Sequence, residues 1–285
     1  MGLFIKYKGF APPELDAFRA AQQASYKTLT DFADGLAPGI GEIEATRLLR
    51  KAFYVQGVRH FFHVPVALFG ERTAYPGDFG AFGALPTART LKPGDPVILD
   101  AAPIYDGYLV DTSYAFPFGR VAGFDALDGH LEILRAMILA EVNRGHSFRD
   151  IARTVDGYIR DHGYENCHKK HIGAVLGHRV IKGRGWLVDQ PRIWGLASKH
   201  VGWFLAKSLI ARAGFKNQTP NWNHGRVCDG VRPHGLWAVE PHLARDGVGA
   251  KFEEILVIGE DGAHYLDDAL PHLTRWRGRR ARTAA

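Results

Sequence analysis

Four carboxylates fall where apolar strand residues would be expected. Asp100 ends the run Val97-Ile98-Leu99, and Asp111 interrupts Tyr108-Leu109-Val110-Asp111-Thr112-Ser113. Glu240 ends Leu236-Trp237-Ala238-Val239, and Glu253 precedes the apolar run Ile255–Ile258. A carboxylate in a strand that otherwise wants burial is costly unless it is paired or bound to a cation. Any one of them alone reads as a turn cap or a group facing solvent. Four that converged bare would repel one another, whereas convergence around divalent cations is reasonable, because oxygen ligands and an imidazole hold such ions well. The imidazole candidate is His178, in Leu176-Gly177-His178-Arg179-Val180.

The elements that must position these groups are readable from periodicity. Pro12-Pro13-Glu14 opens a helix to about Gly35, with Leu15, Phe18, Tyr26, Leu29 and Phe32 on its apolar face, and a second helix covers 42–56. Residues 60–95 read as loops with short strands. Strands at 96–100 and 108–116 are joined by a turn at Tyr105-Asp106-Gly107. Helices follow near 124–144 and 147–162, then an irregular stretch with one amphipathic piece, Lys199–Arg212, whose Val201, Phe204, Leu205 and Leu209 mark it as a packed helix. Strands at 236–240 and 251–258 lead into a hairpin at 259–265. Helices first and strands later point to a mixed α/β or α+β single domain.

The 285 residues, 46% hydrophobic and 23% charged, exclude collagen-like, coiled-coil and disordered classes. Two cysteines, Cys167 and Cys228, make neither a disulfide framework nor a four-cysteine zinc site. No run reaches the roughly 18 apolar residues of a membrane span. The start lacks the basic-then-apolar pattern of a leader, so a cytoplasmic protein is expected. The net charge of +6 is concentrated in Arg275, Arg277, Arg279, Arg280 and Arg282, without which 31 basic residues face 30 acidic ones. Residues 271–285 therefore read as a basic, disordered, solvated tail. Nucleic-acid binding is not expected, since only Trp276 interleaves the arginines.

The carboxylate segments resemble, in order, the motifs of the pita-bread metallopeptidases, the family of methionine aminopeptidase, aminopeptidase P, prolidase and creatinase. Two aspartates eleven residues apart, in Asp100…Asp106-Gly107-Tyr108…Asp111-Thr112-Ser113, resemble its first motif, and Gly177-His178 its Gly-His motif. Val239-Glu240-Pro241 resembles its Ile-Glu-Pro, and Phe252-Glu253-Glu254-Ile255-Leu256-Val257 its last strand. The resemblance covers about residues 12–267. It implies a pita-bread α+β fold as a single catalytic domain over 1–270, with two divalent ions drawn from Mn, Fe, Co or Zn. Asp100 would hold one ion and His178 with Glu240 the other, Asp111 and Glu253 bridging them. The ions would lower the pKa of a water and polarise the scissile carbonyl. Glu240 would move the proton, with His178 and His242 as further catalytic candidates. Glu253 is chosen over Glu254 by strand register, since adjacent strand residues face opposite ways.

Several features depart from the family. Its substrate-binding histidines are missing at the segment resembling Gly83-Ala84-Leu85-Pro86, at Gly185 and at Ala174. His178 and Glu240 are 62 residues apart, so 183–235 reads as an insert, either a lid or a dimer contact, bearing Trp186, Trp194, Trp203, Trp222, His200, His224 and His234. His63, His234 and Trp203 are the substrate-binding candidates that could replace the missing groups. The pairs His60/His63 and His168/His171 have zinc-compatible spacing but no third ligand nearby, so surface or packing roles are expected. Lys251, two residues before Glu253, either neutralises the acidic cluster or faces solvent. The expected function is amide hydrolysis in a small peptide or peptide-like substrate, by a homodimer. The alternative is non-peptidase metal chemistry, a lyase or small-molecule hydrolase, and a non-catalytic binding module comes third.

Overall fold

The computed structural model describes residues 10–77, 83–171, 173–183, 192–193, 196–232 and 234–283. Helix α1 spans Pro12–Asp34, with Pro at its first positions, where the missing N–H costs nothing, and Glu14 in its first turn. It buries Phe18, Ala21, Tyr26 and Leu29. Helix α2, Glu42–Val55, carries Glu42 and Glu44 at its positive end and buries Ala45, Leu49 and Phe53. Short strands β1 (His60–Phe61) and β2 (Val66–Phe69) follow. Then come β3 (Pro96–Ala101), β4 (Pro103–Tyr105), β5 (Tyr108–Leu109) and β6 (Thr112–Pro117). The expected strand over 108–116 is thus broken at Val110-Asp111, which frees Asp111 from both ladders.

Helices α3 (Phe124–Asn143) and α4 (Phe148–Asp161) precede β7 (Glu165–Asn166) and β8 (Gly177–Arg179). Strands β9 (Arg192–Ile193) and β10 (Leu196–Ala197) lead into α5 (Ser198–Arg212), and β11 is Asn221–Trp222. The chain closes with β12 (Gly235–Val239), β13 (His242–Arg245), β14 (Val248–Ile258), β15 (Ala263–Tyr265) and α6 (Pro271–Thr283). The main sheet runs β11-β8-β12-β14-β6-β3-β2, with β13 and β15 along β14 and β7 along β13. Its pairings are antiparallel. No helix among the described residues is long and apolar enough to cross a membrane.

Register explains why distant carboxylates share a face. Asp100 pairs with Ser113, and Ser113 pairs with Glu253 across the next ladder, so these three side chains stand in one row. Residues two apart on a strand point the same way, which adds Lys251 beside Glu253, and Asp111, in the break just before β6, reaches the same cluster at His178, 3.2 Å away. His178 pairs with Ala238, two before Glu240, and brings both onto that same face. Glu254 points the other way, to Arg135 of α3 at 2.6 Å and His272 of α6 at 3.1 Å. Gly177 lets β8 approach β12, since a Cβ there would lie 2.5 Å from the Ala238 carbonyl.

The expected disordered tail is corrected. Residues 271–283 form α6, which buries Trp276 against His272 and Phe252. Arg275 and Arg279 both engage Asp128 of α3, Arg279 also reaches Glu132 at 2.6 Å, and Arg280 pairs with Glu132 as well. A net-charge count sees five arginines but not the acidic pair one helical turn apart that receives them. Trp276→Ala is expected to destabilise the protein by about 3–5 kcal/mol, the usual cost of emptying a buried aromatic site. Urea unfolding measures it, and a loss below about 1 kcal/mol would mean that the helix is not docked in solution.

Candidate metal centre

Asp100 ends β3, Asp111 lies in the break before β6, His178 is central in β8, Glu240 follows β12, and Glu253 lies within β14. Each is less than a tenth exposed. Nε2 of His178 lies 3.2 Å from Asp111 Oδ2 and 3.4 Å from Glu253 Oε1. Lys251, also buried, stands among the other carboxylates: its Nζ is 3.0 Å from Asp100 Oδ2, 2.9 Å from Glu240 Oε2 and 3.1 Å from Glu253 Oε2. Of the two sequence readings of Lys251, the neutralising one holds. Strand alternation placed it on the right face but could not say that its ammonium would reach three carboxylates, one of them 151 residues away.

Four buried carboxylates and one lysine leave negative charge in excess, and the ionisation equilibria show it. Burial, reinforced by Asp111 and Glu240 and opposed by Lys251, pushes Glu253 up to about 8. Burial would depress both His63 and His178, but the carboxylates outweigh it and raise both well above the ordinary imidazole range. Asp111 is held low despite its burial, by His63 and His178. One buried oxygen, Asp100 Oδ1, has no hydrogen-bond partner among the described residues. Donor atoms of Asp111, His178 and Glu253 lie within 4.8 Å of one another, as do those of His63, Asp100 and Asp111. Oxygen-rich groups with an imidazole suit hard or borderline divalent ions, so the residues fit a metal centre.

The other sequence candidates divide. His63, between β1 and β2 with a third of its side chain exposed, reaches Asp111 Oδ1 at 3.1 Å. His242 pairs with Lys251 across β13–β14, but its Nε2 is bonded to the Thr73 carbonyl at 2.7 Å and its ring packs on Tyr75. Burial, with Lys251 nearby, holds it well below the usual range, so it stays neutral beside the cluster rather than in it. His234 precedes β12 at the end opposite Glu240, about 20 Å away along six extended residues, where its carbonyl takes bonds from Arg179 and Trp237. Trp203 packs on the small apolar cluster that includes Ile104 and Leu109.

The region 183–235 is only partly an outgrowth. Strand β11 pairs with β8 directly opposite His178, and Trp222 is fully buried against Phe148. In α5 the buried face is His200, Phe204, Lys207 and Ala211, while Leu205 and Leu209 are exposed, so the expected apolar stripe is rotated. The Phe204 ring lies 4.8 Å from that of Phe62 and 5.8 Å from that of His178, which walls the centre on one side. Trp186, Trp194 and Gly185 lie outside the described residues.

No histidine stands at Gly83–Pro86 or at Ala174. Gly83 and Leu85 instead give their carbonyls to Arg72, which also pairs with Glu42. His171, seven residues before His178 and expected only to pack or face the surface, stands near the cluster: its ring stacks on Tyr75, and it feels the charges of Glu240, Lys251 and Asp100. His168 turns away to Asp156, and His60 lies by His200, so neither spaced pair forms a zinc site.

The sequence model of "Metallopeptidase family M24" matches residues 16–260. YkvY of Bacillus subtilis (strain 168), which carries the provisional name of a dipeptidase, is 28% identical over 166 residues, 56% of this chain and 43% of that one. A prolidase from Thermococcus sibiricus superposes with a TM-score of 0.65 at 18% identity, covering 92% of this chain and 60% of its own. A methionine aminopeptidase from Rickettsia prowazekii gives 0.62 at 19% identity, covering 92% and 99%. These structures share the fold, and the expected pita-bread α+β architecture is the one found. The chain spans under half of YkvY and about three fifths of the prolidase.

Proposed function

The chain belongs to metallopeptidase family M24, and from that premise we propose that it hydrolyses the amide bond of a dipeptide or similarly small peptide-like substrate. The carrying observation is the convergence of four buried carboxylates and His178 on one sheet face. Two divalent ions, from among Mn, Fe, Co and Zn, would be held by Asp100, Asp111, His178, Glu240 and Glu253. When bound, they supply a water of lowered pKa and a Lewis-acid pull on the scissile carbonyl.

The chain's own groups do the rest. Glu240 accepts the proton of the attacking water and returns it to the leaving amine, work that contributes about 10²–10⁴-fold. Lys251 fixes the Glu240 carboxylate through Oε2 at 2.9 Å, so one orientation of the other oxygen is presented to substrate. His171, at the edge of the cluster, orients the substrate in place of the histidines absent from Gly83–Pro86 and Ala174, and His63 stands at the same edge, against Asp111. Phe62, Phe204 and Trp203 exclude water and limit substrate length. As part of this reading the protein is a cytoplasmic homodimer.

Metal-loaded protein is expected to cleave members of a Met-Xaa and Xaa-Pro dipeptide panel, to lose that activity to chelator and to regain it with Mn²⁺. Chromatography of the products measures each step. The replaced outer histidines favour one rival, in which the same ions serve a lyase or another small-molecule hydrolase. Metal-loaded protein that cleaves no peptide would give that rival the site.

A further inference from the structure

We infer that His63 is itself a metal ligand, forming with Asp100 and Asp111 one cation position, while Asp111, His178 and Glu253 form the other. The inference deepens the reading above and rests on it for the presence of cations. It adds a sixth ligand that the family's five-residue set does not contain.

The two imidazoles are presented alike. Nδ1 of His63 lies 3.0 Å from the Val64 carbonyl, and Nδ1 of His178 lies 3.3 Å from the Arg179 carbonyl. A carbonyl only accepts, so in each ring Nδ1 donates and Nε2 carries the lone pair of the neutral form. That arrangement, with the outer nitrogen tied to backbone, is how ligating histidines are oriented. Each Nε2 then faces one oxygen of the same carboxylate: His63 faces Asp111 Oδ1 at 3.1 Å and His178 faces Asp111 Oδ2 at 3.2 Å. In that neutral form each ring nitrogen and its carboxylate oxygen are two acceptors held face to face, and the place taken by a proton on Nε2 in the ion-free protein is where a cation would sit.

The remaining oxygens sort the same way. Lys251 takes Oδ2 of Asp100 and Oε2 of Glu253. Oε1 of Glu253 is left to His178 at 3.4 Å. Oδ1 of Asp100, buried and without a hydrogen-bond partner among the described residues, is left toward His63 at 3.7 Å. The centre therefore has a lysine side and an imidazole side, and on the imidazole side Asp111 separates two positions. Each three-residue group has its donor atoms within 4.8 Å of one another, close to the span of one ion with bonds of about 2.0–2.2 Å.

The test is a Co²⁺ titration of chelator-stripped protein, read by visible absorption and by metal analysis after dialysis. Wild type is expected to bind two ions per chain. His63→Ala is expected to keep one at wild-type affinity and to bind the second at least about tenfold more weakly, since even outer partners of ligands cost 10–100-fold. His178→Ala should lose the other ion. Because a third of the His63 side chain is exposed, added imidazole should restore the weakened Co²⁺ signal in His63→Ala, which a merely structural role would not allow. The ion that remains at His178 shows that the variant is folded. Two ions bound at wild-type affinity by His63→Ala, or one ion in wild type that His63→Ala retains, would overturn the inference and leave the hydrolase reading standing. A wild type that binds no divalent ion would overturn both.

Discussion

Asp111→Asn is expected to give a folded protein whose turnover falls by at least about 10³-fold, the upper range for losing one preorganised electrostatic group. The substitution conserves shape, so the loss isolates charge. Asp111 stands free between β5 and β6, 2% exposed, with one oxygen toward each imidazole. An amide there presents one oxygen and one NH₂, so it can serve one cation position at most and meets the other with donor hydrogens. Measuring kcat/KM with metal content checks this, and Asp106→Asn, in the turn six residues after Asp100 and five before Asp111, is the control expected to be nearly silent. Unchanged turnover in Asp111→Asn would refute the assignment of the centre.

Lys251→Met is expected to destabilise the chelator-stripped protein by about 3–5 kcal/mol, the cost of removing one partner from a buried ionic group. Methionine fills the volume, so the effect is that of leaving Asp100, Glu240 and Glu253 uncompensated. The loss depends on pH with a definite sign. Glu253 already sits at about 8, above its unfolded value, with Lys251 working to lower it. A carboxylate raised by folding binds more protons in the native state between the two values, so stability falls as pH rises through that window. Without Lys251, Glu253 rises further and Glu240 loses a charge that lowers it, so the deficit against wild type should be larger at pH 8.5 than at pH 5.5. Urea unfolding at both pH values decides it. A deficit that is equal at the two, or absent, would show that the lysine does not neutralise the cluster in solution. Divalent ions should return part of the lost stability, because they bind only the folded centre.

Much of the site was legible in one dimension because strand geometry is. Alternation alone placed Lys251 with Glu253 and set Glu254 apart, and the structure sends Glu254 to Arg135 and His272 on the helix-covered face. The helix signals at Pro12-Pro13 and in 124–144, 147–162 and 199–212 gave elements close to those found, because capping and periodicity are local. The misreadings share a different cause. The arginines of 275–282 look like a solvated tail until Asp128 and Glu132, some 147 residues away, are brought beside them. The apolar stripe of α5 was rotated because Phe204 answers to Phe62 and His178, not to its own helix. His171 reads in the sequence only as half of a spaced pair with a packing or surface role, because the family spacing points to Ala174.

The sequence by itself determined which residues could carry chemistry and on which face of their own strand or helix each would lie. Local sterics and the two periodicities decide those things within a few residues. Only the tertiary structure decided which of the candidates meet. It put Lys251 among three carboxylates, set Asp111 between two imidazoles, and left His234 at the far end of β12. Those outcomes depend on the register and order of β8, β12, β14, β6 and β3. Register is fixed by burying one whole sheet face at once, a collective condition that no short stretch of residues contains.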